Sequence, residues 1–182
     1  MTRIGLLSDT HGFLDESVFE HFKNCQEIWH AGDFGNIEIA NQLIKGQTGR
    51  LTFNKLNASE KGQTGRQTFF RGVYGNIDGN DIRAIYPEKL HFTVEGINVF
   101  MQHIGGYPNR YAPGVKNEII EHRSRLFISG HSHILKIMYD DKLNCLHMNP
   151  GAAGKQGWQK VSTVIRFVID GEEMRDCEVI EL

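Results

Sequence analysis

Four short segments concentrate the side chains that could do chemistry. Ser8-Asp9-Thr10-His11-Gly12 sets a carboxylate and an imidazole close together, directly after the apolar run Ile4-Gly5-Leu6-Leu7. The device recurs in His30-Ala31-Gly32-Asp33, Gly75-Asn76-Ile77-Asp78 and Gly130-His131-Ser132-His133. Oxygen and nitrogen donors at the ends of several apolar runs point to metal ligation rather than packing, and to a two-metal hydrolase. A strand buried in a sheet fixes its last residues while the loop beyond it opens to solvent. Several such ends can converge on one crevice.

The donor types narrow the metal. Asp9, His11, Asp33, Asn76, His131 and His133 offer oxygen and imidazole nitrogen but no sulfur, and His103, just past the run Asn98–Gln102, adds one more imidazole. Such a shell suits manganese, iron, zinc or cobalt better than copper(I) or an iron–sulfur cluster. A carboxylate such as Asp33 can bridge two ions about 3.5–4 Å apart.

The elements that must position these residues alternate early in the chain. Residues 3–7 read as a strand buried on both faces. A helix over 15–23 carries Val18, Phe19 and Phe22 on one face. Glu27–His30 is a second strand, Asn36 caps a helix bearing Ile37, Ile39, Ala40, Leu43 and Ile44, and 69–74 is a third strand. Past residue 90 the pattern turns mostly β. A hairpin over 91–101 turns at Glu95-Gly96, a helix spans 115–122 and a strand 125–129. Four more strands follow, over 134–139, 143–148, 161–169 and 174–180, with turns at Asp140-Asp141 and Asp170-Gly171. This order predicts an α/β domain of two packed sheets with helices outside.

One stretch breaks the pattern. Lys45-Gly-Gln-Thr-Gly-Arg50 recurs as Lys61-Gly-Gln-Thr-Gly-Arg66. Two copies are too few for a solenoid, and the Gly-Lys-Ser/Thr ending of a P-loop is missing. The segment at about 45–67 reads as a mobile surface insertion in a single domain spanning 1–182, with a lid or docking loop as the alternative.

Composition sets the outer bounds. The 182 residues suit one sizeable core. Twenty Lys and Arg against 22 Asp and Glu leave a formal charge of −2, so long duplex nucleic acid is not an expected partner. Cys25, Cys145 and Cys177 are scattered, which argues against a disulfide framework or a thiolate zinc site. The chain shows no signal-peptide pattern and no membrane-spanning run, so a cytoplasmic protein is expected.

Asp-x-His, Gly-Asp, Gly-Asn, the later strand-end His103 and Gly-His-x-His, in that order, resemble the calcineurin-like metallophosphoesterases. The Gly-Asn-x-Asp form and Asn149-Pro150-Gly151-Ala152 are similar to the compact YfcE-like/Vps29-like branch. The resemblance implies a four-layer αββα sandwich of two mixed β-sheets flanked by helices. It also implies a dinuclear site, with Asp9, His11, Asp33 and His133 on the first ion and Asp33, Asn76, His103 and His131 on the second. Manganese leads among the implied cations, with zinc, iron, cobalt or magnesium as alternatives. A hydroxide bridging the ions would attack a small phosphate ester in line.

One departure is informative. Many members of the wider superfamily carry His directly after the motif Asn, where it can protonate the leaving group; the close branch tends to lack it. Ile77 stands there and cannot transfer a proton. That favours phosphodiesters or esters with good leaving groups over unactivated monoesters. Asp78 is expected to orient a ligand from behind, or to serve a turn or helix cap; Arg110 reads as an ordinary solvated arginine, with contact to a substrate phosphate as the alternative.

Taken singly, each candidate has a packing explanation. Asp9 could cap a helix, Asp33 could serve a turn, and a lone His131 or His133 would be an ordinary histidine. Their joint placement after apolar runs removes that reading. His21, His30, His91, His122 and His147 are not assigned to metal; His30 reads as a packing or supporting residue. Trp29 and Trp158 read as core or partly buried. The competing function is a protein-interaction scaffold on the same fold, as in Vps29; a nuclease would need a basic groove. Exposed strand edges leave room for a homo-oligomer.

Overall fold

The computed structural model describes residues 1–46 and 68–182. Residues 47–67, which hold all of the duplicated Lys-Gly-Gln-Thr-Gly-Arg stretch but Lys45 and Gly46, lie outside the described residues; those two end a helix.

The chain opens with β1 (Thr2–Leu7), α1 (Ser17–Phe22), β2 (Glu27–His30), α2 (Ile37–Gly46) and β3 (Phe69–Gly72). It continues through α3 (Asn80–Arg83), β4 (Lys89–Val94), β5 (Ile97–Gln102), β6 (Gly106–Tyr107), β7 (Arg110–Tyr111) and α4 (Val115–Glu121). It closes with β8 (Leu126–Ile128), β9 (Leu135–Asp140), β10 (Cys145–Pro150), β11 (Thr163–Asp170) and β12 (Glu173–Glu181).

These strands make two five-stranded mixed sheets, ordered β12-β11-β1-β2-β3 and β4-β5-β8-β10-β9. In the first, β1, β2 and β3 run parallel, with Leu7 level with His30 and His30 level with Gly72. In the second, β5, β8 and β10 run parallel, with Met101 level with Ile128 and Ile128 with Met148. Each sheet therefore ends its parallel strands in one row, and every candidate ligand lies in a loop just past one of those rows.

Strand alternation explains the layers. Ile4 and Leu6 of β1 and Trp29 of β2 face Val99 and Met101 of β5, Leu126 and Ile128 of β8, and Phe167 of β11, in one buried cluster between the sheets. The other face of β1 and β2, through Leu7 and Ile28, packs against Val18 and Phe22 of α1 and Leu43 of α2. Phe100 of β5 and Phe127 of β8 point outward and meet Val115 and Ile119 of α4. The layers are helix, sheet, sheet, helix, as the resemblance implies. Asn36 caps α2 as expected, its Oδ1 accepting from Ile39 N at 3.2 Å.

Several features differ from the sequence reading. Helix α3 and the hairpin β6–β7 are too short to show a period, so they were not expected. Strand β3 ends at Gly72 rather than at residue 74, where the chain turns toward the Gly75 loop. Trp29 is buried as expected, but Trp158 is fully exposed. It sits among Lys155, Gln156 and Lys160, a polar loop that offers no apolar face to cover it.

One buried histidine makes stability sensitive to acid. His147 on β10 is 1 % exposed, and its Nε2 lies 2.9 Å from Ser129 Oγ. Burial pushes its pKa down from 6.5 to about 4. As pH falls below 6.5 the unfolded chain takes a proton that the folded chain refuses until about 4, so this part of the stability is lost across that window. Urea unfolding at pH 7 and pH 4.5 is expected to show the unsubstituted protein losing about 2 kcal/mol more than His147→Gln. Equal losses would remove His147 as the cause.

Candidate metal centre

The loops past the two rows of strand ends are fastened to each other. Within the first sheet, Asp9 N donates to Gly32 O at 3.0 Å and His11 N to Asp33 O at 3.0 Å. Within the second, Gly130 N donates to His103 O at 3.0 Å. Across the sheets, Ala153 N donates to Ser8 O at 2.9 Å and Gly154 N to Asp9 O at 3.0 Å. His131 N lies 3.2 and 3.1 Å from the Asp9 carboxylate oxygens, and His103 Nδ1 donates to Ala31 O at 2.7 Å. Asn149 of the Asn-Pro-Gly-Ala motif is buried, and its Nδ2 donates to Gly130 O at 2.8 Å. That bond secures the loop bearing His131 and His133.

This frame brings six of the seven candidates together in two groups. Asp9, His11 and His133 form one; Asp33, His103 and His131 form the other. In each group the donor atoms lie within 4.8 Å of one another. His133 Nε2 is 3.3 Å from Asp9 Oδ1, and His103 Nε2 is 3.2 Å from Asp33 Oδ2. Asp33 Oδ2 also lies 3.9 Å from His11 Nε2, so one carboxylate reaches toward both groups. Asp9, Asp33 and His103 are buried and make the floor, while His131 is exposed at the rim.

Asn76 is also exposed, and it lines a cleft of about 370 Å³ together with His103. The frame brings it to the same edge without a described side-chain bond to the other six. Its loop is held against Asp33: Ile77 N donates to Asp33 Oδ1 at 3.1 Å. A Cβ on Gly75 would overlap Asp33 Oδ1, and one on Gly130 would overlap Ser8 Oγ, so both positions demand glycine by close approach.

The donors fit divalent cations on several counts. Asp9 and Asp33 are almost fully buried, and among the described residues neither pairs with a Lys or Arg; the only side chains in ion-pair range are imidazoles, beside one backbone N–H each from His131 and Ile77. Buried carboxylates without a cation are costly. His103 Nε2 is buried and makes no aligned hydrogen bond, while its Nδ1 proton is committed to Ala31 O. His133 Nδ1 likewise faces Gln159 Oε1 at 3.1 Å, which leaves Nε2 bare. That Nε2 stands 3.0 Å from His11 Nε2, a separation that needs a proton or a metal between them. Without metal, burial pushes His103 down, but the Asp33 and Asp9 carboxylates overcome it and raise the pKa. Burial would raise Asp33, yet the neighbouring His103 lowers it overall.

Supporting residues behave differently from one another. Asp78 is buried and accepts from Gly75 N at 2.7 Å and Gly35 N at 3.0 Å, so it ties the loops after β2 and β3 together. It acts on Asp33 and Asn76 through the backbone. His30 is fully buried, stacks on Phe34 and sits 3.0 Å from Thr10 Oγ1. Burial drops its pKa to about 3, so it stays neutral. Arg110 is exposed on β7 and no described contact ties it to this cleft.

Two residues escaped the sequence reading. Gln159 orients His133, and its Nε2 donates to Gly154 O at 3.1 Å. Arg83 lines the cleft and donates to the carbonyls of Asp78, Gly75 and Asn76. No motif marks either: Gln159 lies in a polar loop far past the last ligand pair, and Arg83 ends a single helical turn.

Comparison with known proteins shows the family and the fold. Residues 2–172 match the model of the calcineurin-like phosphoesterase superfamily domain. A protein of Methanothermobacter thermautotrophicus, named as a probable metallophosphoesterase, is 27 % identical over 184 residues, covering 97 % of this chain and 91 % of its own. A Streptococcus pneumoniae protein described as a predicted phosphoesterase superposes with TM-score 0.66 at 19 % identity, covering 99 % of this chain and 89 % of its own. Vps29 of Entamoeba histolytica, solved with Zn2+, superposes with TM-score 0.68 at 13 % identity and 98 % coverage of both chains.

The Gln159 contact yields a test of the centre. Gln159→Leu is expected to weaken manganese binding by about 10–100-fold in titration calorimetry, because His133 loses the acceptor that fixes its tautomer. Unchanged affinity would mean that His133 needs no such support.

Proposed function

The chain belongs to the calcineurin-like phosphoesterase superfamily, and from that premise we propose that it hydrolyses phosphodiesters with a pair of divalent cations. Asp9, His11, Asp33 and His133 hold one cation; Asp33, Asn76, His103 and His131 hold the other. The observation that carries the reading is the pair of buried carboxylates that, among the described residues, have imidazoles beside them and no Lys or Arg. Manganese suits this oxygen and nitrogen shell; zinc, iron, cobalt and magnesium are the alternatives the panel below must separate.

When bound, such cations lower the pKa of water and neutralise charge on the phosphate. The chain does the rest. Ile77 N–H holds Asp33 Oδ1, which turns Oδ2 toward His103 and His11. His131 N–H performs the same service for Asp9. Ile77 itself is 48 % exposed and apolar, so the position after Asn76 offers no acid to the leaving group. The departing oxygen must then leave as a stable anion, which favours diesters and aryl esters over alkyl monoesters. The cleft lined by Tyr74, Asn76, Arg83 and Glu88 receives the organic group of a small substrate. Arg83 steadies the Asn76 loop there.

A second reading, a protein-interaction scaffold, rests on β9. Ile137, Met138 and Tyr139 on that edge strand, with Ile134 just before it, are each at least 40 % exposed, apolar surface of the kind that docks partners. Among the described residues no helix is long and apolar enough to cross a membrane.

Hydrolysis of bis-p-nitrophenyl phosphate separates the two. The metal-loaded protein is expected to turn the diester over with manganese, faster than p-nitrophenyl phosphate, and Asp33→Asn or His131→Ala is expected to cut the rate at least about 1,000-fold. Absence of turnover on a phosphate-ester panel with manganese, zinc, iron and magnesium would hand the lead to the scaffold.

A further inference from the structure

Three side chains outside the centre converge on the outer face of the second sheet. Glu118 and His122 lie one turn apart on and just past α4, and His91 reaches them from β4. Glu118 Oε2 stands 3.2 Å from His91 Nε2 and 3.5 Å from His122 Nε2. The two imidazoles stack with ring centroids 3.7 Å apart, and His91 stacks in turn on Phe100 at 4.5 Å. The donor atoms all lie within 4.8 Å of one another.

We propose that His91, Glu118 and His122 bind a single zinc-class divalent cation at a site separate from the dinuclear centre. Two imidazoles and one carboxylate, with a fourth position open to water, are a donor set that zinc takes readily. A tetrahedral ion with ligands at about 2.0–2.2 Å needs its donors about 3.3–3.5 Å apart. The carboxylate oxygen stands close to that separation from both nitrogens, at 3.2 and 3.5 Å.

The surroundings hold the three side chains close together. Lys89 Nζ donates to the other carboxylate oxygen at 2.6 Å, which keeps Glu118 ionised and leaves Oε2 for the cation. The His122 carbonyl accepts from Asn98 Nδ2 at 3.3 Å, and its backbone N caps α4 by donating to Glu118 O at 3.1 Å. His91 is held between two rings, and because an imidazole lone pair lies in its ring plane, the more exposed His122 must swing off this stack for both nitrogens to meet one ion. Side-chain exposures of 25 %, 24 % and 42 % for His91, Glu118 and His122 leave an entry path from solvent. A bound ion would join α4, a helix of only seven residues, to the edge strand β4. Short helices depend on such tertiary anchors.

Zinc competition against a chromophoric chelator tests the site in the chelator-stripped full chain. Whatever number of ions the dinuclear centre takes, the unsubstituted protein is expected to bind one equivalent more than His122→Ala, and one more than Glu118→Gln. Zinc should also raise its melting temperature more than that of either variant. His122 is exposed and Glu118→Gln is nearly isosteric, so circular dichroism should find both folded. Equal stoichiometry and equal thermal response in all three proteins would overturn the proposal and leave a hydrogen-bonded ion cluster only.

Discussion

The carboxylate of Asp9 is the hinge on which the architecture turns. It is fully buried at the end of β1, in the first sheet, and it meets the backbone N–H of His131 from the second. A buried carboxylate without good partners costs several kcal/mol, so the two sheets cannot shift at this edge without exposing or orphaning it. The His103–Ala31 bond crosses the same gap in the other direction. The apolar layer between the sheets supplies most of the association, but it is tolerant of small slips. The polar edge is not, because hydrogen bonds fail within a few tenths of an ångström.

Convergence carries a backbone cost. Asp9, His11, Asp33, His131 and His133 all have φ between 48° and 67°, in the left-handed region that non-glycine residues seldom adopt. Each such residue costs on the order of 1 kcal/mol unless its surroundings impose it. Here the impositions are visible: the Gly32, Asp33 and Gly130 backbones, the Asn149 amide and the loop at 153–154. A chain that turns sharply left just after a strand end aims its side chain back over the row of ends. That direction brings imidazoles from two sheets onto one pair of acids. Cations bound there would offset the strain as well as the buried charge.

Around this rigid edge, the open parts of the site come from short and irregular elements. The Gly75–Asp78 loop, the single turn of α3 and the loop at 155–160 carry Asn76, Arg83 and Gln159. They lie past the sheet, where the register of strands no longer dictates position. Ile77 shows the consequence: it occupies a place where a proton donor would sit, and its side chain faces outward. The irregular loops therefore line the open cleft, while the buried donors sit directly past the strand ends.

Much of this was legible in the order of residues. The segments at 4–7, 27–30 and 126–128, all buried and each followed within three residues by Asp or His, announced both the strands and the donors, since a buried strand end is a rigid mount for a ligand. Hairpins at Glu95-Gly96 and Asp170-Gly171 were marked by their turn residues. Other features had no local signature. The elements α3 and β6–β7 are shorter than any period. The exposure of Trp158 follows from what its loop fails to pack against, not from the residue. Gln159 and His133 are distant in the chain and meet only because β10 and its loop fold back over β1. The triad of His91, Glu118 and His122 exists only because α4 crosses the face of β4. Donor identity is a property of single residues and their spacing; donor convergence depends on register, crossing and handed turns, which the whole chain decides at once.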